Sequence, residues 1–112
     1  MKKIILTCLI CFILTACNNK TDELTCKDYE KMLESDAILI DVRSNAEYNN
    51  AHLDNSINIP VEQVERIEKN YEKDDEIIIY CQSGSRAQQA VDHLIEKGFT
   101  NVHNYGGIDD CK

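Results

Sequence analysis

Three observations predict an α/β fold, a mainly parallel sheet flanked by helices in three layers. Short apolar, β-branched runs alternate with stretches of helical periodicity from Leu24 onward, the order that parallel strands joined by crossover helices require. The run Ile77-Ile78-Ile79-Tyr80 is apolar at every position, as a strand buried on both faces would be. It ends in Cys81 and a small polar loop leading straight into an amphipathic helix. Open α/β sheets place their sites at such C-terminal strand ends.

Each element has its own reason. Thr25 is the expected N-cap of a first helix, with Asp28 in the first turn and Leu24 stapled onto Tyr29. Tyr29, Met32 and Leu33 supply its apolar face. Ala37 to Val42 is nearly continuous in apolar residues and reads as a buried strand carrying Asp41. Glu47 and Tyr48 fit a single helical turn, and Ser56 to Ile59 a short strand stopped by Pro60. Val61, Val64, Ile67 and Tyr71 share one face of a charged helix. Lys73-Asp74-Asp75 is a turn, and Glu76 to Tyr80 the central strand. Ala87, Ala90, Val91, Leu94 and Ile95 recur at helical spacing, closed by Lys97 and Gly98. Phe99 to Tyr105 holds the last strand, followed by Gly106-Gly107.

The chain has 112 residues, room for one modest domain. Its formal charge of -8 argues against nucleic acid and against anionic head groups held by charge. Met1-Lys2-Lys3 followed by the apolar run Ile4 to Leu14 reads as a secretory leader, too short for a comfortable permanent span. Leu14-Thr15-Ala16-Cys17 resembles the bacterial lipoprotein box. That resemblance implies cleavage before Cys17 and a lipid on its thiol, anchoring the protein to the extracytoplasmic face of a bacterial membrane in the cell envelope. An ordinary signal peptide or a single-pass anchor is the alternative. The expected organisation is therefore a signal peptide at 1–16, a lipidated tether at 17–23 and one domain at 24–112. Cys8 and Cys11 have metal-like spacing but lie in the apolar leader, where they read as small hydrophobes.

The chemistry concentrates at Cys81-Gln82-Ser83-Gly84-Ser85-Arg86. Peptide N–H groups and the dipole at a helix start favour an anion and a thiolate. Gly84 can take the positive φ that a loop curling round an anion needs. Cys-x-x-Gly-x-Arg after an Ile strand resembles the active-site loop of the rhodanese (sulfurtransferase) family. Asp41-Val42-Arg43-Ser44-Asn45-Ala46-Glu47-Tyr48 with Ala51-His52-Leu53 and Ile57-Asn58-Ile59-Pro60 resembles a second signature of that family, and so does Tyr105-Gly106-Gly107-Ile108.

The resemblance implies a rhodanese-like three-layer fold and sulfur transfer through a persulfide on Cys81. The implied donor is a small anion such as thiosulfate and the acceptor a thiol or cyanide, with no cofactor called for. Gln82, Ser83, Gly84, Ser85 and Arg86 would bind the donor, their backbone N–H groups mattering more than their side chains, with Arg86 shaping the anion pocket. Asp41, Arg43 and Glu47 are expected to support the loop as a polar cluster in which Arg43 pairs with Glu47. His52 is expected to be structural, and His93 and His103 to lack partners. No metal-ligand constellation is present in the sequence.

Cys26 and Cys111 either form a disulfide joining the two ends of the domain or stay as thiols, one of which could resolve a persulfide on Cys81. Two rival functions remain at this level. A phosphatase or arsenate reductase of the same fold would carry a loop one residue longer between cysteine and arginine. A non-enzymatic persulfide carrier or redox docking module would keep the same loop. The chain departs from the family at Ala51-His52 and Asn55-Ser56, where glycine is usual, and at Asp109-Asp110-Cys111-Lys112, where a tryptophan and a final helix often follow.

Overall fold

A computed structural model describes residues 23–112. The leader, Cys8, Cys11 and the proposed lipid site Cys17 lie outside the described residues. The four strands are β1 (Ile38–Asp41), β2 (Ile57–Asn58), β3 (Ile77–Cys81) and β4 (Val102–Gly107). They form one parallel sheet in the order β2-β1-β3-β4. The helices are α1 (Cys26–Glu34), α2 (Asn45–Asn50), α3 (Glu65–Asn70) and α4 (Ser85–Glu96). Among the described residues no helix is long and apolar enough to cross a membrane.

Strand alternation divides the core in two. Ile77, Ile79 and Cys81 of β3 face a cluster with Ile67 of α3 and Ala87, Ala90, Val91 and Leu94 of α4. Ile78 and Tyr80 face the other way, into a cluster with Tyr29, Met32 and Leu33 of α1. All five β3 residues are fully buried, and each isleucine so placed contributes about 1.5–3 kcal/mol. Both layers therefore fix the height and the facing of Cys81.

Local signals act as the sequence predicts at several ends. Thr25 Oγ1 accepts from the Asp28 N–H while the Asp28 carboxylate accepts from the Thr25 N–H, a reciprocal cap on α1. At the far end of α4, Gly98 has φ +97°. The Gly98 N–H donates to Ile95 O and the Phe99 N–H to Leu94 O, which together satisfy the last carbonyls. Because residues up to Phe99 close that helix, β4 begins at Val102 rather than Phe99. Asn55 takes φ +67°, a region asparagine tolerates better than most residues.

Two expectations need correction. The charged helix after Pro60 is not continuous: Val61–Gln63 form a 3-10 turn and α3 follows. The Val61 N–H donates to Val42 O, tying the segment to the end of β1 and tightening its first turn. Ile95 is 55% exposed; Leu94 takes the inward position and its neighbour sits about 100° round the helix.

Candidate active site

The C-terminal ends of β1, β3 and β4 meet at one edge of the sheet, because all strands run parallel. At that edge β3 delivers Cys81, and the chain turns through Gln82-Ser83-Gly84 into α4. Gly84 occupies the N-cap position with φ +103°, as the loop expectation required. No side chain caps α4, so its first-turn N–H groups are left for another acceptor. That acceptor is the Cys81 sulfur: the Gly84 N–H donates to Sγ at 2.9 Å and the Ala87 N–H at 3.4 Å. The side chain is buried, on the α4 side of the sheet, with its sulfur turned toward peptide amides.

The β4 side clamps this loop. Tyr105 is an extra residue in β4: Ile79 pairs with Asn104 and Tyr80 with Gly106. The bulge brings Gly106-Gly107 beside the cysteine loop. A Cβ on Gly107 would collide with the Gln82 carbonyl, which is why glycine is needed there. The Ile108 N–H donates to Cys81 O at 2.9 Å, and Asn104 Nδ2 donates to Gly84 O at 3.1 Å.

Two arginines flank the loop, and their partners differ from the sequence expectation. Arg43 pairs with Asp41, not with Glu47. Its Nη2 lies 2.7 Å from Asp41 Oδ2, its Nε donates to both Asp41 oxygens at 3.1 Å, and its own N–H donates to Oδ1 at 2.8 Å. Nη2 also donates to Ala51 O at 2.7 Å, and Nη1 reaches Gln82 Oε1 at 3.4 Å. The hydrogen bonds to Asp41 raise the Arg43 pKa against the opposing effect of burial.

Glu47 instead holds Arg86. Nη1 donates to Oε1 at 2.9 Å and Nη2 to Oε2 at 3.1 Å, a two-pronged pair. Glu47 also accepts from the Ser44 N–H and hydroxyl, completing a cap on α2. Arg86 first, then Ser44, hold the Glu47 carboxyl down at about 2. The Glu47 hydrogen bonds raise the Arg86 pKa in turn. Arg43 thus takes the carboxylate at the end of β1, two residues before it, and Glu47 is left to Arg86.

Comparison with known proteins decides the family. The rhodanese-like domain matches residues 25–112. The chain belongs to the rhodanese-like domain family. It is 41% identical over 73 residues to the thiosulfate sulfurtransferase PspE of Escherichia coli, covering 63% of this chain and 70% of that protein. It is 39% identical over 100 residues to a tRNA uridine(34) hydroxylase of Buchnera aphidicola, covering 81% of this chain but only 32% of that longer protein. Among solved structures, the human single-domain sulfurtransferase TSTD1 superposes with a TM-score of 0.72 at 26% identity, covering 80% of this chain and 92% of the other.

Within this rhodanese-like domain the remaining expected residues fall outside the loop. His52 is exposed, stacked on Tyr48 at 3.8 Å, with Nδ1 bonded to Tyr48 O. The expectation that His93 and His103 lack partners is corrected: His93 Nε2 meets Glu68 Oε1, and His103 Nε2 meets Asn101 Oδ1 at 3.1 Å. Among the described residues no group of three or more His, Cys, Asp or Glu side chains converges as metal ligands. Cys26 and Cys111 form a disulfide, and Cys81 is the free cysteine of the described residues.

Sequence reasoning missed Ala87, Asn104 and the Glu47–Arg86 pair. Ser44-Asn45-Ala46-Glu47 has the spacing of a capping box, which places Glu47 at a helix start. Ala87 reads as a core residue because only its backbone N–H acts at the site. Nothing in the sequence marks Asn104, whose role comes from the bulge beside it.

Proposed function

We propose that this domain moves a sulfane sulfur from a small anionic donor such as thiosulfate to a thiol or cyanide through a persulfide on Cys81. The observation that carries this reading is the Cys81 sulfur facing the Gly84 and Ala87 N–H groups at the start of α4. Amides so aimed stabilise negative charge on sulfur, first on the thiolate and then on the persulfide's terminal atom as it is drawn to the same groups. The relatives named thiosulfate sulfurtransferase support the same chemistry.

The Cys81 thiol first gives its proton to solvent. The thiolate attacks the outer sulfur of thiosulfate, and the S–S bond of the donor breaks with its electron pair leaving on sulfite. The acceptor thiolate then attacks the terminal sulfur of the persulfide, and the Cys81 thiolate leaves. Gln82, Ser83, Gly84 and Ser85 form the loop that receives the donor. Arg86, held by Glu47, adds positive charge at its edge. Arg43, held by Asp41 at the end of β1, braces the loop at Gln82, and His52 is given a structural role.

The test is intact mass after mixing with thiosulfate. The expected outcome is one added sulfur on Cys81, removed by a thiol, and no cyanide-dependent thiocyanate from Cys81→Ser. Transfer persisting in Cys81→Ser at comparable rate overturns the mechanism.

The lipoprotein reading belongs to this proposal as well. A lipid on Cys17 would tether the domain through residues 18–23 at an oxidising membrane face, a setting in which a disulfide such as Cys26–Cys111 persists. Cys17→Ser is expected to move the protein from the membrane to the soluble fraction; retention in the membrane overturns the anchor.

A further inference from the structure

Cys111 lies in the segment that walls the Cys81 loop, and its bonded partner Cys26 is the first residue of α1. The sulfurs join residues 85 positions apart, with Cα atoms 5.6 Å apart. Contacts run inward from this bond by two routes. Along the tail, Asp110 Oδ2 accepts from the Gly107 N–H at 2.8 Å, Gly107 is packed on the Gln82 carbonyl, and the Ile108 N–H holds Cys81 O. Through α1, the Tyr29 hydroxyl donates to Asn104 O at 2.8 Å, and Asn104 Nδ2 holds Gly84 O. Both routes end on the loop whose Gly84 N–H meets the Cys81 sulfur.

The bond is also within reach from outside. Cys26 is exposed and Cys111 half-buried. Both line a surface cleft of about 190 Å³ with Lys27, Tyr29, Glu30 and Leu33. Cys81, by contrast, has no exposed surface, so any reagent, the donor included, gains its sulfur only in brief openings of the loop or the tail beside it.

We propose that the Cys26–Cys111 disulfide is a redox clasp on the Cys81 loop, opened by a dithiol that docks at the cleft beside it. A partner thiolate attacks the Cys26 sulfur, breaks the Sγ–Sγ bond and expels the Cys111 thiolate. The partner's second thiol then displaces Cys26, so two electrons and two protons pass to the domain and the partner leaves as a disulfide. With the bond closed, the tail holds Gly107 and Ile108 against the loop and orders the amides that bind an anion. With the bond open, the tail is released, openings become more frequent, the cradle loosens and the anionic donor binds less well. The effect on donor binding rests on the sulfur-transfer reading; the effect on access to Cys81 does not.

The experiment therefore follows the alkylation rate of Cys81 by iodoacetamide, measured by mass, in parallel with the KM for thiosulfate. Three forms are compared well below their melting temperatures: the oxidised protein, the protein reduced with dithiothreitol and desalted without air, and Cys26→Ser/Cys111→Ser. A fourth, Asp110→Ala, keeps the disulfide but cuts the tail from Gly107. Alkylation is expected to rise by about fivefold or more in the reduced and double-serine forms, and by a smaller factor in Asp110→Ala. The thiosulfate KM should rise by about threefold or more in the same order. Equal alkylation rates in all forms overturn the clasp, whether or not the protein transfers sulfur. A faster rate in the open forms with none in Asp110→Ala overturns the route through the tail. Absence of any persulfide in the oxidised protein, with alkylation still controlled by the disulfide, sinks the sulfur-transfer reading and leaves the clasp standing.

Discussion

Two arginine–carboxylate pairs stand on either side of one cysteine loop, and they differ in depth. Arg43–Asp41 is buried, with side chains 5% and 0% exposed; Arg86–Glu47 is about a third exposed at both partners. Depth decides what each can do. A buried pair leaves a costly unpaired charge when one partner is removed, so Arg43 and Asp41 act as framework. The Arg43 guanidinium spans Asp41 on β1, the Ala51 carbonyl and Gln82 at the loop. A half-exposed pair is screened by solvent and contributes little to folding. Its charges stay open to solvent at the start of α4, and Arg86 and Glu47 there carry opposite signs.

This contrast can be broken by substitution. The largest effect is expected from Arg43→Ala, which leaves the Asp41 carboxylate buried without its partner and should cost about 3–5 kcal/mol in urea unfolding. A loss below about 1 kcal/mol would put the two pairs in the same class. Arg86→Ala should shift function instead: the thiosulfate KM rises by about tenfold, a change of about 1.4 kcal/mol in binding, while folding stability falls by less than about 1 kcal/mol. An unchanged KM would remove Arg86 from the donor site.

Glu47→Gln sharpens the point with the opposite sign. It deletes the negative charge at the mouth but keeps a group able to bond Arg86 and Ser44, so the KM for a doubly charged donor should fall by about twofold to threefold. A higher KM would mean that Glu47 is needed mainly to aim Arg86. The smallest effect is in acid. Glu47 titrates near 2 in the folded protein against an ordinary 4.5, so its stabilisation is fully present above the unfolded value. It is lost as pH falls through the window from the ordinary value to the folded one. Solvent screening holds this to about 1 kcal/mol or less. Glu47→Gln should flatten that limb in urea midpoints taken from about pH 5 to about pH 2.

The legible parts of the fold are those with local signals. Thr25 with Asp28, Gly98 after α4 and the unbroken apolar run of β3 each announce themselves, because caps and buried strands depend on residues a few positions apart. The geometry of the candidate site was legible at Cys81 and Gly84, where a strand, a loop and a helix start are contiguous. Arg43 was legible as a member of a polar cluster beside the loop but not in its pairing. Asp41, two residues before it, and Glu47, four residues after it, are both near in sequence. Sequence spacing does not separate the two; in the fold Arg43 meets Asp41, and Glu47 meets Arg86.

By itself the sequence determined the parallel α/β order, the strand that carries Cys81 and the loop glycine, since all of these follow from periodicity and backbone preference over short spans. Tertiary structure alone decided which carboxylate each arginine takes, that Gly106-Gly107 and Asn104 close on the cysteine loop, and that Cys26 bonds Cys111. Except for Arg43 with Asp41, those contacts join residues far apart in the chain, and at the cysteine loop their partners are set by sheet register and by the extra residue in β4.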